Sequence, residues 1–497
     1  MTQDIQKTLE AFFHHQTFRP NQEEIISDVV AGRDVLAVMA TGGGKSLCYQ
    51  LPAMMLDGMT VVISPLIALM KDQVDALLAQ GVRVGTLNSM QTYDEKLRVE
   101  REISSGSLRI LYVSPERAVT PAFFQVLSRC RVALFAVDEA HCISMWGHQF
   151  RPEYREIKVL REKFPNVPVI ALTATATERV REDIVRELGM KNSREYVGSF
   201  NRKNLRYEAY EEPTGMVRIQ KIVSYVVANP NVSGIIYCFS RASCEEVAER
   251  LRRHRILASP YHAGMPTPER NRIQEGFLNN TIRVICATVA FGMGIDKPDV
   301  RYVIHAHLPK DLESYYQETG RAGRDGKPSD CILYYSAGDR AKISSMLERE
   351  FTDVQRLRIA KGKVADMYSY CTTSGCRRKL LLSYFGEDIS PCRNCDICDR
   401  SNTKPKKVAA PSGDLPKIVF DAAKDLSGQM TMSSFVSFLL GLDRAHTKSS
   451  GLTSHSFYGA AKDYGRAEVM GVVQDLIAAK KLSLKGKSVM KLCVAEK

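Results

Sequence analysis

The sequence predicts an α/β protein built from two doubly wound parallel sheets in tandem, followed by a helical segment and a small domain of helices and one hairpin. Three observations predict it. Short apolar runs alternate with helix-compatible segments through the first two thirds of the 497 residues, as strands joined by crossover helices do. The runs fall into two sets, with a lapse in the apolar pattern near 201–212. From about residue 341 the strand-like runs stop and helical segments take over.

The first set of expected strands is 35–40, 60–64, 108–114, 132–137 and 167–172; the second is 234–239, 282–287, 302–306 and 331–335. They are nearly continuous in apolar residues, which fits strands covered on both faces. This assigns residues 1–205 to a first lobe, 206–340 to a second, 341–402 to a helical subdomain, 403–416 to a linker and 417–497 to a terminal domain. The linker is read from the Lys-, Pro-, Ser- and Ala-rich stretch between Arg400 and Lys417. The terminal domain reads as three helices and a hairpin, with an amphipathic helix over 466–481 and a hairpin over 482–493.

The net charge of +13 is uneven: residues 401–497 hold 13 Lys and 2 Arg against 6 Asp and 2 Glu. A polyanion partner and a solvated Lys-rich surface account for that excess equally well. The N-terminus lacks a basic segment followed by an apolar stretch, so no signal peptide is expected. No apolar run approaches the ~18 residues of a membrane span. Most of the 13 cysteines are scattered singly through apolar strands, as at Cys238, Cys286 and Cys331. That pattern fits reduced thiols in a cytoplasm or, in a eukaryote, a nucleus, with no membrane partner.

The loop Ala40-Thr41-Gly42-Gly43-Gly44-Lys45-Ser46 follows the first strand and opens a helix. Its glycines let successive backbone N–H groups face phosphates, and the helix N-terminus adds positive potential. Thr41, Gly42, Gly43 and Gly44 would cradle the phosphates of ATP, Lys45 would meet the β/γ-phosphates, and Ser46 would ligate Mg²⁺. Met39 stands where the strict motif has its first glycine, a variant typical of helicase-type motors. Asp138 and Glu139 end the run 132–137, so both carboxylates sit at the carboxyl end of a strand. Asp138 would carry the Mg²⁺ and Glu139 would orient the attacking water, with His141 two residues on.

A loop with the only Trp of the chain follows: Trp146, His148, Phe150 and Arg151. Stacking surfaces and a cation beside a hydrolytic site suggest that nucleic acid is sensed where ATP is cut. In the second lobe, Gln317-Glu318-Thr319-Gly320-Arg321-Ala322-Gly323-Arg324 places two arginines at i, i+3 on one side of a turn. Arginines that reach the γ-phosphate when two domains close act as arginine fingers. Cys376, Cys392, Cys395 and Cys398 form C-x15-C-x2-C-x2-C, which fits one structural, tetrahedral Zn²⁺. An iron–sulfur cluster is the competing reading, but Asn402 stands where a ferredoxin-type run would want a further Cys.

The order of these motifs, with Ser64–Gln73, Leu172–Thr177 and the stretch 292–298, closely resembles the RecQ-family superfamily 2 DNA helicases from about Phe13 to Asp399, and more weakly to the end. The resemblance implies two RecA-like lobes, a zinc-binding subdomain and a winged helix. It also implies ATP-driven 3′→5′ movement on single-stranded DNA and unwinding of branched or tailed duplexes in repair and recombination. Gln22 would then hydrogen-bond the adenine edge and Arg19 would stack on its face, while His15 stands where the family usually has Tyr. An imidazole offers a smaller stacking surface. The helix 466–481 would be the recognition helix, and Lys485 and Lys487, at the tip of the wing, would neutralise duplex phosphates. No aromatic stands at that tip to act as a wedge.

The expected protein is therefore an ATP-dependent DNA helicase working as a monomer, with single-strand-binding and recombination proteins as partners. Its rivals are an RNA-dependent ATPase, since Asp-Glu-Ala-His cores also remodel RNA, and a DNA-annealing scaffold whose ATPase is a switch. Because the chain ends at Lys497, no HRDC domain is expected after the winged helix.

Overall fold

Thirteen strands of the computed structural model assemble into two wholly parallel sheets. The structure describes residues 2–40, 42–65, 67–88, 91–147, 150–289, 291, 297–402, 414–442, 452–479, 481–485 and 491–494. Contacts divide it into two compact units, Met1–Asn402 and Thr403–Lys497.

The first sheet comprises β1 (Val35–Val38), β2 (Met59–Ile63), β3 (Val84–Leu87), β4 (Ile110–Val113), β5 (Val132–Val137), β6 (Val169–Thr173) and β7 (Arg194–Val197), in the order β3-β4-β2-β5-β6-β1-β7. The second comprises β8 (Leu205–Glu211), β9 (Ser233–Tyr237), β10 (Ala258–Tyr261), β11 (Val284–Ala287), β12 (Val300–His305) and β13 (Ser329–Tyr335), in the order β10-β11-β9-β12-β13-β8. All nine strands expected from the sequence are present. The four that were not expected, β3, β7, β8 and β10, are the four sheet edges. An edge strand is covered less completely and needs no continuous apolar run: β7 is largely exposed, and β8 alternates buried and half-buried residues. The lapse at 201–212 is therefore mostly the edge strand β8.

Adjacent strands β5, β6 and β1 bring Asp138, Thr173 and the glycine loop to one end of the first sheet. The sheet is buried on both faces, with Leu36, Val61 and Phe135 in one apolar cluster and Ala37, Val62 and Leu134 in the other.

Helices Ala337–Glu350, Val354–Thr372, Arg377–Tyr384 and Asp396–Asn402 follow the second sheet. Arg218, on the helix Gly215–Ala228, ties the first of them to the lobe through a buried ion pair with Asp339 (2.8 Å) and a hydrogen bond to Ser336 Oγ (2.9 Å). The buried pair Arg377–Asp396 (2.6 Å) joins the third and fourth, and Arg377 also donates to Ala209 O on β8 (3.3 Å). Helix takes both ends of the stretch read as linker: it runs to Asn402 and resumes at Leu415, with 403–413 outside the described residues.

The second unit holds helices Leu415–Asp425, Met432–Leu439 and Arg466–Ala478 and an antiparallel hairpin of β14 (Leu482–Lys485) and β15 (Lys491–Val494). Val419, Phe435, Phe438, Val469, Val473, Leu482 and Leu492 close its own core. The last helix ends at Ala478, three residues short of the expected end, and Lys485 pairs with Lys491 inside the ladder instead of forming the tip. Lys487 lies outside the described residues. Among the described residues no helix is long and apolar enough to cross a membrane.

Candidate nucleotide site and its neighbours

A cavity of about 730 Å³ opens at the carboxyl end of the first sheet, and both lobes line it. The first lobe contributes His15, Arg19, Gln22, Gly42, Gly44, Lys45, Ser46, Asp138 and Glu139; the second contributes Gln317, Arg321 and Arg324. Thr41 lies outside the described residues, as does His148. Gly43 sits within the loop, where an added Cβ would come 2.9 Å from Ala40 O.

The loop is held from behind by Gln22. Its Oε1 accepts from Arg19 N–H (2.8 Å), and its Nε2 donates to Gly44 O (3.0 Å). Arg19 Nη1 donates to Gly42 O. Gly44 has φ +81°, and a Cβ there would lie 2.4 Å from Gln22 Nε2, so only glycine permits this grip. Gln22 is buried, with one N–H and one lone pair left for a base edge. Lys45 Nζ rests on Met39 O at 3.3 Å, at the mouth of the loop.

Asp138 Oδ1 accepts from Glu139 N–H (3.0 Å), and Tyr154 OH fastens Asp138 O (2.9 Å). Burial and the neighbouring Glu139 raise the Asp138 pKa to about 6, against the pull of Lys45. Burial likewise opposes the charge on Glu139, but His141, Lys45 and Arg321 outweigh it and hold that pKa below the usual value. Glu139 Oε2 makes no hydrogen bond and only an ion-pair contact, 3.3 Å from His141 Nδ1. A buried and a half-buried carboxylate beside a lysine and a serine hydroxyl, the buried one with its pKa raised, form a donor set suited to Mg²⁺ with a phosphate. Arg321 Nε is likewise buried without a hydrogen-bond partner.

His141 is fully buried behind the carboxylates. Its Nδ1 also lies 2.9 Å from Thr173 Oγ1, which accepts from Thr175 N–H (3.2 Å). Gln317 Nε2 of the second lobe donates to Thr175 Oγ1 (3.1 Å). A polar chain thus runs from Glu139 to the other lobe. Thr173 and Thr175 were not singled out as site residues from the sequence, although they stand in one of the motifs that carry the resemblance.

The aromatic loop is already engaged. Trp146 is half-buried, and the Arg179 guanidinium lies 3.3 Å from its ring centroid. Phe150 has two guanidiniums, Arg155 and Arg356, each 5.1 Å from its ring centroid. Arg151 stands at the N-cap position of the helix Pro152–Glu156 without a side-chain cap bond, and its backbone N–H donates to Cys142 O (2.9 Å). Lys363, from the helix Val354–Thr372, donates to Trp146 O (2.5 Å) and pairs with the buried Glu313 (2.6 Å). Sequence gave no signal for Arg179 or Lys363, whose roles depend on contacts across long stretches of chain.

The four sulfur atoms of Cys376, Cys392, Cys395 and Cys398 all lie within 4.8 Å of one another. A tetrahedron with Zn–S of about 2.3 Å needs sulfurs about 3.8 Å apart, and Cys392 and Cys398 are at 3.9 Å. Backbone N–H groups of Cys392 (3.2 Å) and Lys379 (3.5 Å) point at Cys376 Sγ, as a thiolate requires. The residues fit zinc.

Two parallel-sheet lobes that share a glycine loop, paired carboxylates and facing arginines define an ATP-driven helicase core. Residues 19–184 match the DEAD/DEAH box helicase family, 217–326 the helicase conserved C-terminal domain and 337–399 the RecQ zinc-binding domain. The chain belongs to the RecQ family of ATP-dependent DNA helicases. It is 43% identical over 470 residues to the ATP-dependent DNA helicase RecQ of Pasteurella multocida, covering 94% of this chain and 73% of that protein. It is 44% identical over 482 residues to the RecQ helicase of Haemophilus influenzae, covering 94% and 74%. Among solved structures, the Mycobacterium smegmatis helicase Lhr bound to single-stranded DNA and AMP-PNP shares the fold, with a TM-score of 0.54 at 20% identity over 85% of this chain and 57% of that one.

Proposed function

We propose that this helicase moves 3′→5′ along single-stranded DNA and separates forks, tailed duplexes or recombination intermediates, by closing its two lobes on ATP. The observation that carries the reading is the meeting of Lys45, Asp138 and Glu139 with Gln317, Arg321 and Arg324 in one cavity. Gly42–Gly44 and Lys45 hold the phosphates, and Ser46 and Asp138 hold Mg²⁺, which when bound supplies charge neutralisation. Glu139 orients the attacking water; His141, through its contacts with Glu139 and Thr173, fixes the carboxylate and links it to Gln317. Arg321 and Arg324 meet the γ-phosphate charge that develops on transfer. Arg324 already lies against the glycine loop, 3.8 Å from where a Cβ on Gly42 would stand. His15, Arg19 and Gln22 receive the adenine.

On this reading the loop from Trp146 to Arg151 couples hydrolysis to DNA through stacking on Trp146 and Phe150, with His148 and Arg151 beside them. The terminal unit is a winged helix that neutralises duplex phosphates, with Lys485 and Lys487 contributing. The protein works as a monomer and meets single-strand-binding and recombination proteins. Lys45→Ala tests the nucleotide site: hydrolysis should vanish while single-stranded DNA binding survives. Substantial DNA-stimulated ATPase in that variant would remove the assignment. Equal-length DNA and RNA strands should differ in stimulation, with DNA the stronger; the reverse order would favour an RNA remodeller.

A further inference from the structure

The chain leaves the first sheet at Gly198, whose N–H donates to Val38 O (2.8 Å), and enters the second at Leu205. The crossover between them is gripped on both sides. Glu387 accepts from Ser199 Oγ (2.7 Å) and Phe200 N–H (2.6 Å), Tyr316 OH donates to Phe200 O (2.9 Å), and the Phe200 ring stacks on Phe385 at 4.8 Å. From this anchored segment Arg202 reaches into the turn after the helix Leu312–Thr319. Its Nη1 donates to Gly320 O (3.3 Å), and its Nη2 to Ala322 O (3.0 Å) and Gly323 O (2.7 Å).

Two of those carbonyls belong to the peptide groups that lead directly into Arg321 and Arg324. The geometry points to Arg202 as a positioning residue for these two arginines: its guanidinium sets the main chain from which both side chains project and ties that turn to the crossover between the lobes. The inference rests on the reading of Arg321 and Arg324 as the groups that meet the γ-phosphate. Asn204 completes the cradle, with Nδ2 donating to Gly323 O (2.9 Å) and Lys327 O (2.9 Å). The fit at Gly323 is close: φ is +54°, and a Cβ would lie 2.4 Å from Asn204 Nδ2 and 2.7 Å from Ser329 Oγ. A planar fork can hold three carbonyls in fixed directions, whereas an ammonium can neutralise the same helix end without fixing the turn. Any change of lobe angle must pass through residues 199–204, so their link to the turn makes the arginines follow the crossover.

Arg202→Ala and Arg202→Lys, in the full chain, separate positioning from simple capping. Misplacing a catalytic group by about 1 Å costs up to ~10²-fold in rate, so both variants should lose about 10- to 100-fold in DNA-stimulated kcat. The KM for ATP and the affinity for single-stranded DNA should stay within about twofold, because ground-state contacts are untouched. Affinity for ADP with aluminium fluoride should fall with kcat, and Arg202→Lys should melt close to the parent. If Arg202→Lys restores kcat together with stability, Arg202 is only a helix cap and the inference is overturned. Wild-type kcat in both variants overturns it equally. Arg321→Ala and Arg324→Ala, assayed alongside, distinguish the two levels: if neither lowers kcat, the reading of the arginines fails, and not the link to Arg202.

Discussion

The nucleotide cavity and the aromatic loop lie a few residues apart in sequence, yet their polar groups are satisfied in opposite ways. In the cavity, Glu139 Oε2 and Arg321 Nε are buried without hydrogen bonds, and burial lifts the Asp138 pKa to about 6. These groups are arranged for a ligand that supplies the missing charges. In the loop, the two described aromatic rings and one carbonyl have partners within the protein: Arg179 over Trp146, Arg155 and Arg356 over Phe150, and Lys363 on the Trp146 carbonyl. On the proposed reading, the cavity is pre-formed for its ligand, while the loop exchanges internal contacts for external ones. A motor needs both kinds of site, because a loop already open to DNA would have nothing to switch. The four-cysteine cluster stands with the cavity, since its sulfurs are gathered without any covalent bond between them.

The largest expected effect tests that last grouping. Zinc binding is worth ~10–16 kcal/mol in small zinc domains, so chelation or Cys395→Ser should unfold the subdomain that grips β8 and lower the melting temperature of the first unit sharply. The purified protein should be colourless with one zinc; stoichiometric iron and visible absorption would replace zinc with a cluster.

Next comes the cavity. Arg321→Ala should slow DNA-stimulated hydrolysis by ~10³-fold or more with little change in ATP affinity, as removal of an arginine finger does. A variant that loses ATP affinity but keeps its turnover would show that Arg321 serves ground-state binding.

The loop should respond more mildly. Trp146→Ala should weaken single-stranded DNA binding by ~1–3 kcal/mol and remove most of the DNA stimulation while the basal rate persists. Unfolding at low temperature, with stimulation intact in the remaining folded fraction, would instead make Trp146 a core residue. Smallest of all, and opposite in sign, is Arg179→Ala. A cation–π contact of ~0.5–2 kcal/mol is removed from the Trp146 ring, so half-maximal stimulation should need about 2- to 30-fold less DNA. Weaker DNA binding in that variant would mean that Arg179 itself meets the strand, and the contrast between a closed loop and an open cavity would lose its force.

Much of the fold was legible because interior strands of a parallel sheet are covered on both faces and so must be apolar without interruption. Val35–Val38, Val132–Val137 and Val284–Ala287 show this in their burial. The edge strands were hidden for the converse reason. Arg194–Val197 pairs on one side only and carries Arg and Glu, so its residues resemble a loop until β1 is beside it. In the same way Lys485 read as the tip of a turn until its pairing with Lys491 placed it in the strand.

By itself the sequence determined the chemistry of this protein: a glycine loop ending in Lys45 and Ser46, two carboxylates at a strand end, two arginines one turn apart and four cysteines at ligand spacing. Those signals are local, because phosphate, magnesium and zinc each demand particular atoms at short and nearly fixed separations. What tertiary structure alone decided is who restrains whom. Arg179 covers Trp146 from 33 positions away, and Lys363 reaches Trp146 from 217 positions away. Arg202 holds the turn of Arg321 and Arg324 across nearly 120 positions. A guanidinium or an ammonium gives no hint along the chain of which carbonyl or ring it will meet, since that depends on how two sheets and a helical subdomain pack, and packing is a property of the whole chain.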